Sequence, residues 1–356
     1  MPSTVWMVPI VEGDAPDAVR RKAGVAWDAA GLSRLIRPAD LVALKVHFGE
    51  EGNHNFVRPH LLVPLVERVK AAGGKPFWTD TNTLYVGARS NAVDHIALAH
   101  AHGFTLEDTG APVIIADGLT GREEIRVRVD GRHSAEVGIA PAAAACNALV
   151  AVSHATGHVV TGFGGALKNL GMGLSSRKGK LYQHSVVKPK VHAASCTACG
   201  TCLAWCPVHA ISIVGDSALI DPKTCIGCGE CLTACRIGAV RFQWRMASAG
   251  LQERMAEQAA GVVRHLSGRI AFMTFVTDVG KDCDCMASRP RDVLVKAAGI
   301  LVSYDPVAID QAALDLVASH LGRPLTEVGH AIDPTPQLDA AAALGIGSRD
   351  YDLVRT

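Results

Sequence analysis

Short apolar runs rich in β-branched residues alternate along this chain with longer segments whose apolar positions recur every three or four residues. Val5–Val11 reads as a strand, and Asp14 with Pro16 marks a helix start that runs to about Leu32. Leu41–Phe48 predicts a second strand. Pro59 opens a helix with Leu61, Leu62, Leu65, Val66 and Val69 on one face, closed by Gly73-Gly74. A strand at Pro76–Thr79, a helix over Arg89–His102 and a strand at Val113–Ala116 follow. Glu124–Val129 with Asp130-Gly131 predicts a hairpin, and Asn147–Ser153 a strand that enters a glycine-rich loop. Further on come a helix over Leu251–Leu266, strands at Ile270–Val276 and Ile300–Ser303, and a helix over Val307–Ser319 capped by Asp305-Pro306. Strands alternating with helices imply an α/β fold, a mixed sheet with flanking helices.

A cysteine-rich block at 187–245 interrupts that rhythm. It divides the chain into a first α/β part (1–186), an inserted module (187–245) and a completing α/β part (246–356). With 356 residues, 49% hydrophobic and only 19% charged, the chain has a real core and is not a disordered one. A net charge of +1 gives no drive towards nucleic acid or membrane. The most apolar stretch, Val137 to Val152, holds Pro141 and Asn147, so no membrane span is expected. The first residues do not read as a secretion signal, and the expected setting is cytoplasmic, with reduced or metal-bound thiols.

Eleven cysteines need an explanation. Cys196, Cys199, Cys202 and Cys206 follow C-x2-C-x2-C-x3-C, with Pro207 next. Cys225, Cys228, Cys231 and Cys235 repeat the spacing, and His209-Ala210-Ile211-Ser212-Ile213 matches Gly238-Ala239-Val240-Arg241-Phe242. Zinc would need paired C-x2-C ligands and explains neither the third cysteine of each run nor the repeat. The block resembles a bacterial two-cluster ferredoxin, an α+β module that binds two [4Fe–4S] clusters. That resemblance implies that the fourth cysteine of each run serves the other cluster. Cluster I would then take Cys196, Cys199, Cys202 and Cys235, and cluster II Cys225, Cys228, Cys231 and Cys206. Arg236 stands where proline usually follows the second run, which puts the local turn in question but not the ligation. Of the remaining three, Cys146 lies among alanines and reads as a core residue. Cys283 and Cys285 lie among charges, as a candidate extra metal site, a redox pair or plain loop thiols.

The segment from Ser153 to Ser185 carries the most chemistry. Neither a P-loop nor a dinucleotide fingerprint fits Gly162-Phe163-Gly164-Gly165-Ala166-Leu167-Lys168-Asn169. What remains is a flexible loop whose free amides would form an anion nest beside Lys168, with Gly162, Gly164, Gly165, Lys168 and Asn169 as cofactor-binding candidates. No Asp or Glu occurs between Glu136 and Asp216, whereas Lys168, Arg177, Lys178, Lys180, Lys188 and Lys190 fall in that span. An anionic ligand follows. Nucleic acid does not, because the cationic span lacks interleaved aromatics. His47 and Asp80 follow apolar strands, where ligands of open α/β sheets gather, and with His158, Lys168 and His184 they make up the catalytic candidates.

Over nearly its whole length the chain resembles the iron–sulfur centre proteins grouped as domain of unknown function 362. The likeness rests on Lys45–Glu50, Asp80–Tyr85, Gly162–Gly173, the ferredoxin block, Cys283-Asp284-Cys285 and Asp305–Asp310. More distantly, His158, Gly164-Gly165, Lys168 and His184 resemble the His…Gly-Gly-x-x-Lys…His arrangement of nickel-pincer lactate racemases. That second likeness implies a Rossmann-like or lactate-racemase-like fold with a re-used pocket. The expected function is an iron–sulfur oxidoreductase passing electrons through two [4Fe–4S] clusters to an anionic small molecule. It would draw on a redox partner protein or low-potential donor, with a further metal or anionic cofactor as an added candidate. The alternatives are a ferredoxin-type carrier with a docking domain and a racemase-like isomerase with regulatory clusters.

Overall fold

The computed structural model describes residues 2–85, 87–184, 188–225, 227, 229–241, 248–286 and 292–356. Eight strands form one sheet in the order Tyr351–Arg355, Ser3–Pro9, Val293–Ser303, Ile270–Gly280, Ala148–His154, Leu41–Lys45, Lys75–Asp80, Val113–Ile115. Neighbours are parallel except along Val293–Ser303, which runs antiparallel to Ser3–Pro9 and to Ile270–Gly280. The sheet is mixed, as the alternation predicts.

Strand alternation sends Leu149 and Ala151 to one face and Ala148, Val150 and Val152 to the other. Helices Ser248–Leu266, Pro306–Leu321 and Thr335–Ala343 cover the first face. Pro16–Ala29, Pro59–Ala71 and Ala92–Ala101 cover the second, where Trp27 and Trp78 are fully buried. Asp305 caps its helix as expected, accepting from Val307 N at 2.8 Å and Ala308 N at 2.9 Å.

Three local expectations shift. The helix expected from Arg89 begins at Ala92, because Asn91 caps it, and Arg89 is left to turn inward. The strand at Ile300–Ser303 is the end of an eleven-residue strand, Val293–Ser303. The glycine loop is not a loop: Gly162–Gly164 pairs with Thr156–His158, and a short helix, Ala166–Gly171, follows.

The cysteine block folds as a small unit with internal repetition. Short helices Thr201–Ala204 and Glu230–Ala234 each begin after a left-handed glycine, Gly200 (φ 73°) and Gly229 (φ 77°). Lys190–Val191 pairs with Val240–Arg241, and Ile211–Val214 with Ser217–Ile220. Its apolar cluster holds Cys202, Ile211, Ile220, Cys231 and Val240, and borrows Leu84 and Leu181 from the α/β body. Arg122 ties the two together, pairing with Glu230 at 2.7 Å and lying 4.3 Å over the Trp205 ring. Cys228, Phe242 and the expected module ends at 187 and 245 lie outside the described residues. Among the described residues, no helix is long and apolar enough to cross a membrane.

Candidate functional site

Parallel strands of the sheet end along one edge, at Lys45, Asp80, His154 and Gly280. Ligands of open α/β sheets bind beyond such ends. There a cavity of about 180 Å³ is lined by His47, Asp80, His158, Gly164, Gly165, Lys168, Asn169 and His184, with Cys283 and Cys285 in the same wall. One candidate stays out of that lining. Gly162 is a strand residue opposite His158, and its φ of +71° leaves it against Ile332 O, where a Cβ would sit at 2.3 Å.

Beneath the cavity lies a buried ion network. Lys45 closes an apolar strand and lies 3.0 Å from Asp80, while its ammonium also donates to Asn169 Oδ1 at 2.7 Å. Arg89 approaches Asp80 at 3.6 Å and Glu50 at 3.1 Å. Burial alone would raise the Asp80 carboxyl, but Lys45 and the other cations around it hold it well below the ordinary carboxylate range. Lys180 spends its donors on Thr81 Oγ1, Asn82 O and Ser175 O, at 2.5–2.9 Å, and burial draws its pKa down to about 8. Lys168 differs: no hydrogen bond joins its ammonium to a described residue, it lines the cavity, and burial lowers it to about 8. Four lysine and arginine cations, Lys45, Arg89, Lys168 and Lys180, lie in the lining with two carboxylates, Asp80 and Asp284, and with His154.

Two of the cavity histidines have their tautomer set by the backbone. His158 Nδ1 accepts from Val160 N at 3.2 Å and Thr161 N at 3.0 Å, while the Thr161 hydroxyl gives its proton to Phe163 O at 2.8 Å. His47 Nδ1 accepts from Gly49 N at 3.0 Å. A backbone N–H can only donate, so the neutral rings carry their proton on Nε2. Burial, reinforced by Lys168, holds His158 well below its ordinary pKa; burial and Arg89 do the same for His47. His184 ends the helix Arg177–His184, and burial takes it down to about 3. All three are neutral at pH 7. His154 is the opposite case: Nδ1 meets the Asp284 carboxylate at 2.9 Å and Nε2 meets Thr277 O at 2.6 Å. Two acceptors demand two protons, and although burial works against it, Asp284 raises its pKa, making a buried imidazolium–carboxylate pair.

The expected nest of free amides is corrected by a carboxylate from elsewhere in the chain. Asp310 accepts from Ala166 N at 2.6 Å and Leu167 N at 2.9 Å, so the helix start is filled from within. The same contact explains Gly165, where a Cβ would lie 2.2 Å from Asp310 Oδ1. Burial lifts Asp310 to about 7, against the pull of the two amides. The loop backbone therefore offers the cavity no nest, and Lys168 with the ring N–H groups of His47 and His158 remains as its donor set.

Lys45, Arg89, Lys180 and the His154–Asp284 pair were not among the site residues expected from the sequence. Lys45 had a signal, a lone cation ending the run Leu41-Val42-Ala43-Leu44. Lys180 and Asp284 were marked only as members of the acid-free cationic span and of the Cys283-Asp284-Cys285 motif, and nothing paired Arg89, Lys180 and Asp284 with partners 39, 99 and 130 residues away.

The cysteines of the small unit line two further cavities. One is bordered by Cys196, Cys199, Cys202 and Cys235, the other by Cys206, Cys225 and Cys231. Amides point at their sulfurs: Ala198 N and Ala218 N at Cys196, Gly227 N at Cys225, Ala210 N at Cys206 and Val240 N at Cys235, at 3.2–3.4 Å. Cys146 is buried in the core, as expected. Cys283 and Cys285 are joined as a disulfide.

The family described as Domain of unknown function (DUF362) matches residues 42–315, and the chain belongs to it. No curated protein matches. A Thermotoga maritima protein of known crystal structure is similar at 9% identity and a TM-score of 0.44, over 88% of this chain and 60% of its own. The lactate racemase apoprotein from Thermoanaerobacterium thermosaccharolyticum is similar at 13% identity and a TM-score of 0.38, over 78% of this chain and 51% of its own. The chain thus spans about half to three-fifths of the length of these neighbours.

Proposed function

We propose that this member of the family is an iron–sulfur oxidoreductase whose small unit, residues 187–245, is a two-cluster ferredoxin module serving the cavity at the strand ends. The observation that carries the reading is the helix Arg177–His184. Its Leu181 packs in the apolar cluster with Cys202 and Cys231, and its last residue, His184, lines the cavity. One rigid element therefore joins the cysteine unit to the cavity.

The cysteine unit fits [4Fe–4S] clusters on its own geometry. Each of its two cavities draws cysteines from both runs, the crossed grouping that two-cluster ferredoxins require. The amides directed at Cys196, Cys206, Cys225 and Cys235 are the kind of donor that cluster-ligating sulfur accepts. Cys228 completes the second set by its spacing. When bound, the clusters would supply single electrons.

In the cavity, Lys168 with the Nε2–H groups of His47 and His158 forms a donor-only wall suited to a carboxylate or another small oxyanion. Lys45, Asp80, Arg89 and Glu50 neutralise one another and keep the wall rigid. The neutral imidazoles hold protons next to the ligand. A dedicated electron carrier has no use for such a cavity.

Anaerobic iron and acid-labile sulfide analysis tests the reading, together with native mass spectrometry for a bound anion. The expected result is about eight iron and eight sulfide per chain. Cys206→Ala should damage the cluster of Cys225, Cys228 and Cys231. Loss instead of the cluster of Cys196, Cys199 and Cys202 overturns the crossed assignment, and zinc in place of iron overturns the function.

A further inference from the structure

Cys283 and Cys285 stand apart from the eight cysteines of the module and face the cavity. Their sulfurs are bonded to each other, and a ring nitrogen of His158 lies within 4.8 Å of both. The turn that carries them is tied on several sides. Asp284 O accepts from Glu50 N at 3.1 Å, and the Asp284 carboxylate is held by His154. Asp282 meets His330 at 2.7 Å, and Met286 O accepts from Asn53 at 2.8 Å. The two Cα atoms are 5.3 Å apart, within the ordinary span of a disulfide. A backbone held this way keeps the sulfurs adjacent whether or not they are bonded.

The same three side chains invite comparison with a metal site, and the tautomer of His158 argues against it. Its Nδ1 is claimed by two backbone N–H groups, so the remaining ring nitrogen carries the proton. A metal would have to displace that proton, and Nδ1, facing N–H donors, has no room to take it. The Nε2–H is the one donor of a ring that has a nitrogen within 4.8 Å of both sulfurs, and a thiolate, the reactive form in disulfide exchange, accepts from such a donor.

We propose that Cys283 and Cys285 form a redox-active dithiol–disulfide pair that collects two electrons at the cavity wall. On reduction the S–S bond breaks, two electrons and two protons enter, and two S–H groups form. On re-oxidation the S–S bond re-forms, and both electrons and both protons pass to an anionic two-electron acceptor bound beside Lys168. The proposal rests on the reading above that the module is a carrier of single electrons, fed by a low-potential one-electron donor. Two one-electron centres match the two electrons a disulfide needs, and the pair converts single-electron delivery into two-electron chemistry.

The test uses the full-length protein, prepared anaerobically with its clusters. One sample is oxidised with ferricyanide and another reduced with dithionite, and both are quenched with N-ethylmaleimide under denaturing conditions. The peptide containing residues 283 and 285 is then weighed, with cluster absorbance read on the same samples. The expected result is no label after oxidation, two labels after reduction, and reversal on re-oxidation. A peptide labelled in both states, or unlabelled in both while the cluster absorbance bleaches, overturns the pair. A stoichiometric metal that disappears in Cys283→Ser without loss of cluster absorbance also overturns it, in favour of a metal site. Should the cluster absorbance be missing while dithiothreitol still converts an unlabelled peptide to a doubly labelled one, the pair stands and the iron–sulfur reading falls.

Discussion

The cysteine module and the strand-end cavity hold polar chemistry by opposite means. In the module, the amides that meet Cys196, Cys206, Cys225 and Cys235 come mostly from two to five residues away, and the apolar cluster is small. In the cavity, Lys45 meets Asn169 across 124 residues, His154 meets Asp284 across 130, and Ala166 meets Asp310 across 144. The module is locally wired and short of core, so its order should depend on what fills it. The cavity is wired through the whole sheet, so its charges are positioned before any ligand arrives.

Removing the iron proposed for the module should break the comparison most visibly. Chelation under denaturant-free conditions should abolish hydrogen-exchange protection across the module while leaving the sheet strands protected, because metal-binding energy in small sites is folding energy. Equal loss in both regions would mean that the module is structurally part of the body. The second largest effect belongs to the buried network. Lys45→Met leaves the Asp80 carboxylate beside Arg89 alone, and breaking a buried pair costs about 3–5 kcal/mol. Urea unfolding followed by near-ultraviolet signal should show that loss, with cluster absorbance unchanged in the native baseline.

What was legible in the sequence follows the same division. The internal repetition of the cysteine block could be read from spacing alone, because its two cysteine runs lie 29 residues apart and its turns are local. Most of the sheet was legible too, since Leu41–Lys45 and Ala148–His154 are apolar runs bounded by turn residues. Tyr351–Arg355 was not. It is an exposed edge strand with no apolar alternation, and it exists only because Ser3–Pro9 offers a free edge. The cavity's contributing segments were legible one by one, as His47, Asp80, His158 and Lys168, from their places at strand ends and glycines. Their electrostatics were not, because an acid-free span of sequence is balanced in space by Asp80, Asp117, Asp284 and Asp310 from outside it. The glycine loop misled for the same reason: glycine suggests free amides, and only the fold brings Asp310 to them.

Lys168 sharpens the contrast, since it is the cavity cation that no described hydrogen bond engages. Lys168→Met should weaken an oxyanion or carboxylate ligand by about 10- to 150-fold, the value of a charge-assisted contact of about 1.5–3 kcal/mol. Isothermal titration with inorganic phosphate and with small carboxylates reads this directly. A change under about fivefold, the range of an exposed pair, would return Lys168 to the role of a surface counter-charge.

The smallest expected effect is in the pH dependence of that same binding. Burial lowers the Lys168 ammonium to about 8, from an ordinary value of 10.5. The charged form is what the anion needs, so affinity should be flat below pH 8 and fall above it by up to about tenfold per unit. The sign for folding is opposite. Between 8 and 10.5 the unfolded chain holds the proton that the folded chain has released, so this group makes the fold more stable as pH rises through that window. His158 and His184 do not compete for the effect: burial and Lys168 keep both neutral across the range. Anion titrations at several pH values, beside urea midpoints on the same buffers, separate the two signs. Affinity and stability falling together above pH 8 would show general loss of the fold. Affinity falling while stability holds or rises assigns the change to Lys168, and the slope should vanish in Lys168→Met.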